Sequence, residues 1–140
     1  MANIAFHISE RLDEVKSKDI EKIFEIYNLE QGVEAYKRTD VAIELSDAGK
    51  FVGGIEGYSA WNWMHIKTVA IKKEYRGQGY GAKLLELAEQ EAVKRGCIGI
   101  YLSTMSSQAP EFYESAGFKE YGRLEDYPIG YSRILLKKKL

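Results

Sequence analysis

The chain has 140 residues, 45% of them hydrophobic, and 20 Lys and Arg against 21 Asp and Glu leave a net charge of −1. That length suits one domain burying about two-thirds of its unfolded surface, and the balanced charge speaks against a nucleic-acid or membrane-surface protein. A single cysteine, Cys97, excludes an internal disulfide and fits a reducing cytosol. No signal peptide and no apolar run of bilayer length is read, so a cytoplasmic protein is expected.

In chain order, Ile4 to Ser9 alternates weakly and is expected as a short edge strand. Ser17 is placed to cap a helix carrying Ile20, Ile23, Phe24 and Tyr27 on one face. Glu30 to Arg38 stays open between a second short helix and an irregular loop. Val41 to Ser46 and Lys50 to Tyr58 read as strands joined by the hairpin loop Asp47-Ala48-Gly49. Gly53, Gly54 and Gly57 in the second strand point to a bulge or a close backbone approach. Asn62 to Ile71 is a third strand, and a helix from about Gly79 to Arg95 crosses over to Ile98–Ser103, parallel to it. Pro110 to Ala116 is a short helix with proline in its first turn. Phe118 to Arg123 and Tyr131 to Lys137 close the chain as strands around the turn Asp126-Tyr127-Pro128. The fold class is α+β, a mixed, mostly antiparallel sheet with flanking helices, in one domain spanning residues 1–140.

The segment from Val69 to Leu85 carries the chemistry. It reads as a strand, a turn with Gly77, Gly79 and Gly81, and then a helix whose Leu84, Leu85, Ala88 and Ala92 recur at helical spacing. Such a helix start presents unpaired backbone N–H groups at the positive end of the dipole, and so binds phosphate. The glycines let the backbone approach an anion, and Arg76 adds a charge-assisted donor. Gly77-Gln78-Gly79-Tyr80-Gly81-Ala82 formally satisfies the dinucleotide pattern G-x-G-x-x-G/A. Its place in mid-chain, the absence of an acid after the strand ending at Ser103-Thr104, and the short chain count against a dinucleotide. A Walker loop is excluded because no Gly-Lys-Ser/Thr follows. A glycine-rich turn that merely starts a helix is the bland reading of the same residues.

Arg76-Gly77-Gln78-Gly79-Tyr80-Gly81 resembles the Q/R-x-x-G-x-G/A loop of the GNAT superfamily, the acetyl-CoA-dependent N-acetyltransferases. Gln108-Ala109-Pro110-Glu111-Phe112-Tyr113-Glu114-Ser115-Ala116-Gly117-Phe118 resembles that family's second motif, a short helix carrying a tyrosine and ending in Gly-Phe. The order and spacing of the two are also the family's, and the resemblance covers roughly residues 41 to 138. It implies the GNAT fold, in which the strands corresponding to Asn62–Ile71 and Ile98–Ser103 splay and admit the pantetheine arm of coenzyme A. Splaying would leave backbone groups of Val69 and Ile71 to bond that arm. Arg76, Gly77, Gln78, Gly79, Tyr80, Gly81 and Ala82 would hold the pyrophosphate. A backbone N–H near Val69–Ala70 would face the thioester carbonyl and stabilise the oxyanion of the tetrahedral intermediate.

The family's second-motif tyrosine falls on Tyr113, whose phenol, with an ordinary pKa near 10, would protonate the departing thiolate. The proposed general base is His65, near the position where the histone-acetylating branch carries a glutamate; Glu44, Glu56 and an ordered water are rivals. Alternation would put Trp63, His65, Lys67, Val69 and Ile71 on one face. The sequence departs from the commonest pattern at Ser106, where many members carry a cofactor-contacting asparagine. Its Gln-Ala before Phe-Tyr and its Tyr127-Pro128-Ile129-Gly130 turn are similar to a bacterial branch, in which Gln108 could supply the missing amide contact.

Trp61 and Trp63, read as sharing a strand face, could wall an acceptor pocket or fill the core. Cys97 is expected as a small buried residue, Glu86, Glu89, Glu91 and Lys94 as the solvated side of their helix, and Lys137-Lys138-Lys139 as a solvated terminus. The resemblance implies an enzyme moving acetyl from acetyl-CoA to a primary amine by direct attack, with no metal. A CoA-binding regulatory or interaction module with little turnover is the alternative. Acceptors from small-molecule to peptide amines stay open, as does a homodimer through the last strands, which the family's habits permit.

Overall fold

Alternating apolar and β-branched residues build a meander of β1 (Thr39–Asp47), β2 (Lys50–Ala60) and β3 (Trp63–Ile71). The computed structural model describes residues 2–140. From β3 the chain passes through a 3-10 turn at Lys73–Tyr75 into α2 (Tyr80–Lys94) and returns as β4 (Gly99–Met105). A short helix, α3 (Pro110–Ser115), leads to the hairpin of β5 (Lys119–Glu125) and β6 (Ser132–Lys139). The sheet order is β1-β2-β3-β4-β6-β5, antiparallel except for the β3–β4 pair that flanks the α2 crossover. The mixed, mostly antiparallel sheet expected from the sequence is thus the one observed.

α2 supplies the core on one sheet face. Leu84, Leu85, Ala88 and Ala92 are all buried against Ile55, Met64, Ile66, Ile100, Leu102 and Leu136. Each fully buried leucine contributes about 1.5–3 kcal/mol relative to exposure. The glycines of β2 set the spacing within the sheet. A Cβ at Gly54 would stand 2.2 Å from the Ile43 carbonyl oxygen, and one at Gly57 2.1 Å from that of His65. Beside Gly57 the register jumps, Gly57 pairing with Ile66 and Glu56 with Thr68, so Lys67 is an extra, bulged residue. The bulge overturns the expected common face. Trp63 and His65 alternate with the buried Met64 and Ile66, whereas Val69 and Ile71, beyond the bulge, pack against the α2 core.

By internal packing the chain divides at Tyr36–Lys37. The first unit holds α1 (Glu14–Glu30), capped by Asp13, whose side chain accepts the Lys16 N–H at 2.9 Å. Ser17, expected as the cap, lies inside the helix and donates its N–H to the Asp13 carbonyl. Ile20, Ile23, Phe24 and Tyr27 are helical as expected, but all four are more than half exposed. Ile4 to Ser9 is not a strand, and no helix follows Gln31 before β1.

Three further expectations are corrected. Trp61 and Asn62 form the two-residue β2–β3 turn with positive φ, so Trp61 is not on the strand face that Trp63 occupies. Glu89 is not simply solvated: it pairs with Lys138 at 2.5 Å, and the same ammonium donates to the Ala116 carbonyl at 2.7 Å. That fixes the tail to α2 and to the end of α3. Glu91 likewise pairs with Arg95, whose guanidinium also ties the start of β1 and Ser59 to the helix end.

Candidate active site

β3 and β4 pair only over Trp63–Gly99, Met64–Ile100 and His65–Tyr101. Beyond that point each strand keeps its other neighbour, β3 pairing with β2 as far as Ile71–Gly53 and β4 with β6 as far as Met105–Arg133. The two strands therefore part like a wedge. On the β2 side, the Lys72 N–H donates to the Val52 carbonyl at 2.9 Å. Antiparallel alternation from that bond directs the backbone groups of Ala70 and Thr68 toward β2, and those of Val69 and Ile71 into the wedge. The Ile71 carbonyl is met there by Arg76 Nε at 2.8 Å, which fixes the arginine beside the glycine loop.

Two cavities open from the wedge. The larger, about 710 Å³, is lined by Val69, Ala70, Ile71, Arg76, Gly77, Gly79, Tyr80, Gly81 and Ala82, and across from them by Thr104, Gln108, Phe112 and Tyr113. Gly77 and Gly79 have φ of +71° and +86°, the left-handed region that favours glycine, and nothing lies within 4 Å of where their Cβ atoms would be. Gly79 caps α2 without a side chain, and the first N–H bonded back into the helix is that of Lys83. The N–H groups of Tyr80, Gly81 and Ala82 are thus free of intrahelical partners. Gly81 serves packing instead. A Cβ there would meet Phe112 Cζ at 2.9 Å, so its absence lets α3 close on the helix start.

The smaller cavity, about 300 Å³, is lined by Ile66, Lys67, Thr68, Ser103, Met105, Tyr127 and Arg133. It shares Val69, Thr104, Gln108 and Tyr113 with the larger one, so Tyr113 stands at their junction. Burial raises the Tyr113 phenol above its ordinary value and keeps it protonated at neutral pH. Gln108 lines both cavities, but its carbonyl oxygen is committed to Thr104 Oγ1 at 3.0 Å and the Met105 N–H at 3.1 Å, leaving only its amide NH₂ to turn outward.

The remaining candidates stand apart from the cavities. Gln78 turns away and donates to the Glu74 carbonyl at 3.0 Å. His65 occupies the last β3–β4 pair, its ring stacked on Tyr101 at 4.5 Å and meeting the edge of Tyr58 at 5.3 Å, and it lines neither cavity. Its Nδ1 is buried without a partner. Burial lowers its pKa, offset by a hydrogen bond with the Tyr101 backbone and reinforced by Arg133, Lys67 and Arg38, so the imidazole stays neutral. Trp63 lies over Gly99 and edge-on to Tyr101, and neither it nor Trp61 lines either of these two cavities. Sequence reasoning missed Lys67, Ser103 and Arg133, which come from β3, β4 and β6 and form no contiguous motif.

A model of the acetyltransferase (GNAT) family matches residues 8–118. An acetyltransferase of Agrobacterium fabrum is 36% identical over 135 residues, covering 96% of this chain and 98% of that protein. The blasticidin-S acetyltransferase of Streptomyces morookaense is 36% identical over 95 residues, 67% of this chain and 70% of its own. Among solved structures, an acetyltransferase from Bacillus cereus superposes with a TM-score of 0.85 at 31% identity, covering 96% of this chain and 98% of that one.

Proposed function

This chain belongs to the GNAT family of acetyltransferases, and on that premise we propose that it moves the acetyl group of acetyl-CoA to a primary amine by direct attack. The observation that carries the reading is the wedge itself. A helix start with free N–H groups opens on one side of it, a second cavity opens on the other, and Tyr113 lies where they meet.

Acetyl-CoA, as co-substrate, supplies an activated acyl group on a thiol leaving group. The N–H groups of Tyr80, Gly81 and Ala82, with Arg76 beside them, form a cradle for its pyrophosphate, and the space before Gly77 and Gly79 leaves room for one. Val69 and Ile71 offer the backbone groups that extended amides would bond. The Val69 N–H is the donor for negative charge developing on the acyl oxygen. Tyr113, protonated and desolvated, donates the proton that the leaving sulfur takes up. Gln108 adds its amide NH₂ at the junction. His65, standing behind the apex, can serve as base only through an intervening water; its neutral state suits that role.

One relative is named for acetylating blasticidin-S, and a small-molecule amine acceptor is the reading adopted for this chain. The test is acetyl-CoA turnover over an amine panel, followed by release of free thiol. Acetylation of at least one amine, with CoA binding retained and turnover reduced in Tyr113→Phe, is expected. CoA binding without turnover of any amine would leave the binding-module reading instead.

A further inference from the structure

The smaller cavity contains an unmatched charge. Lys67 and Arg133 line it, and no aspartate or glutamate does. Neither cation forms an ion pair among the described residues. Arg133 is nevertheless oriented: its Nε donates to Ser103 Oγ at 2.9 Å and its guanidinium stands 5.7 Å from the Tyr127 ring centre. Those contacts hold the guanidinium plane and leave both terminal nitrogens without a hydrogen-bond partner among the described residues. Lys67 reaches the cavity because it is the bulged residue of β3. A held guanidinium fork lining one cavity with a second cation, and no acid in that lining, is the arrangement that recognises a carboxylate.

We propose that the acceptor is a small amine carrying a carboxylate, of the amino-acid type, with its carboxylate held by Arg133 and Lys67 and its amine directed toward the junction at Tyr113. The inference rests on the acetyl-transfer reading and specifies its substrate class. A volume of about 300 Å³ accords with a molecule of that size. The positive potential is also felt beyond the cavity: Arg133, Lys67 and Arg38 all act to disfavour charge on His65. A polycationic amine would bring its additional charges against these groups and be repelled.

The test separates binding from turnover. CoA-saturated protein is titrated calorimetrically with N-acetyl amino acids covering small, polar and aromatic side chains, each beside its uncharged N-methylamide. At least one acid is expected to bind about tenfold or more tightly than its amide, in line with the loss of a charge-assisted contact. Lys67→Gln and Arg133→Gln should each remove most of that preference. Lys67 sits in an exposed bulge, so its variant keeps the test valid should Arg133→Gln melt early. Equal or absent binding of every pair, or a preference that survives both substitutions, overturns the proposal. A thiol-release assay on the free amino acids and their decarboxylated amines scores the parent reading separately. Carboxylate-selective binding without turnover removes the transferase reading and the acceptor assignment with it, whereas turnover indifferent to the carboxylate keeps the transferase reading and overturns this proposal alone.

Discussion

The two mouths of the wedge are built from different materials. The larger takes its backbone donors from the continuous run Val69 to Ala82, where positive-φ glycines and a helix start lie, with Thr104, Gln108, Phe112 and Tyr113 across from them. The smaller is assembled from separate segments that bring polar and charged side chains together: residues 66–69, 103–105, Gln108, Tyr113, Tyr127 and Arg133. A backbone site recognises a feature common to many ligands, such as a diphosphate, and tolerates change in the side chains around it. A side-chain site can be altered one residue at a time, and specificity resides there.

Of the four residues shared by both mouths, Tyr113 gives the largest expected effect. Tyr113→Phe removes the acid and leaves the ring packed on Phe112 and Phe118. Turnover should fall by about a hundredfold, within the range general acids supply, while calorimetry gives an unchanged CoA affinity. Loss of CoA affinity in parallel would assign the tyrosine to binding instead.

Next come substitutions confined to one mouth. Gly79→Val forces a β-branched residue to φ +86° at the start of α2. A residue held there costs of order 1–3 kcal/mol, so CoA should bind about tenfold or more weakly with little change in acceptor recognition. Ser103→Ala removes the anchor of Arg133 on the other side. A hydrogen bond worth about 0.5–1.5 kcal/mol predicts roughly a three- to tenfold rise in KM for the acceptor, with CoA affinity unchanged. If Gly79→Val impairs the acceptor, or Ser103→Ala impairs CoA, the two mouths do not act independently.

The same contrast explains what could be read from the chain. The loop from Arg76 to Ala82 was legible because its logic is local: glycines, a helix start and an arginine follow one another. The meander, the crossover and α3 were legible for a similar reason, through periodicity and short turns. The bulge at Lys67 was not, since it depends on how Gly57 meets the opposite strand, and it reverses which residues accompany His65. Arg133 looked like one alternating residue of a last strand until β4 placed Ser103 beside it. Lys138 and Glu89, 49 positions apart, carried no local sign of pairing. Asp13 displaced Ser17 as the cap of α1 because both residue types cap well and the helix begins where the first of them allows.

His65 offers the smallest effect and the sharpest test of where the site ends. Its folded-state pKa lies below the ordinary 6.5, chiefly through burial, so the unfolded chain takes up a proton that the folded one resists. The stability this group contributes is complete above about pH 6.5 and is lost as the pH falls through that value toward the lowered folded pKa. His65→Phe keeps a ring between Tyr58 and Tyr101 and removes both the titration and the unpartnered Nδ1. Thermal melts from pH 7.5 to 5 should therefore show a smaller fall in Tm for the variant than for the parent protein, the difference growing below pH 6.5. The steady-state rate of the same variant decides the histidine's part in the chemistry. A drop of tenfold or more at pH 7.5, with melting unimpaired there, would extend the acceptor mouth back to the apex through a water. A rate within about twofold would end the site at Val69 and Tyr113, with the amine losing its proton directly to solvent.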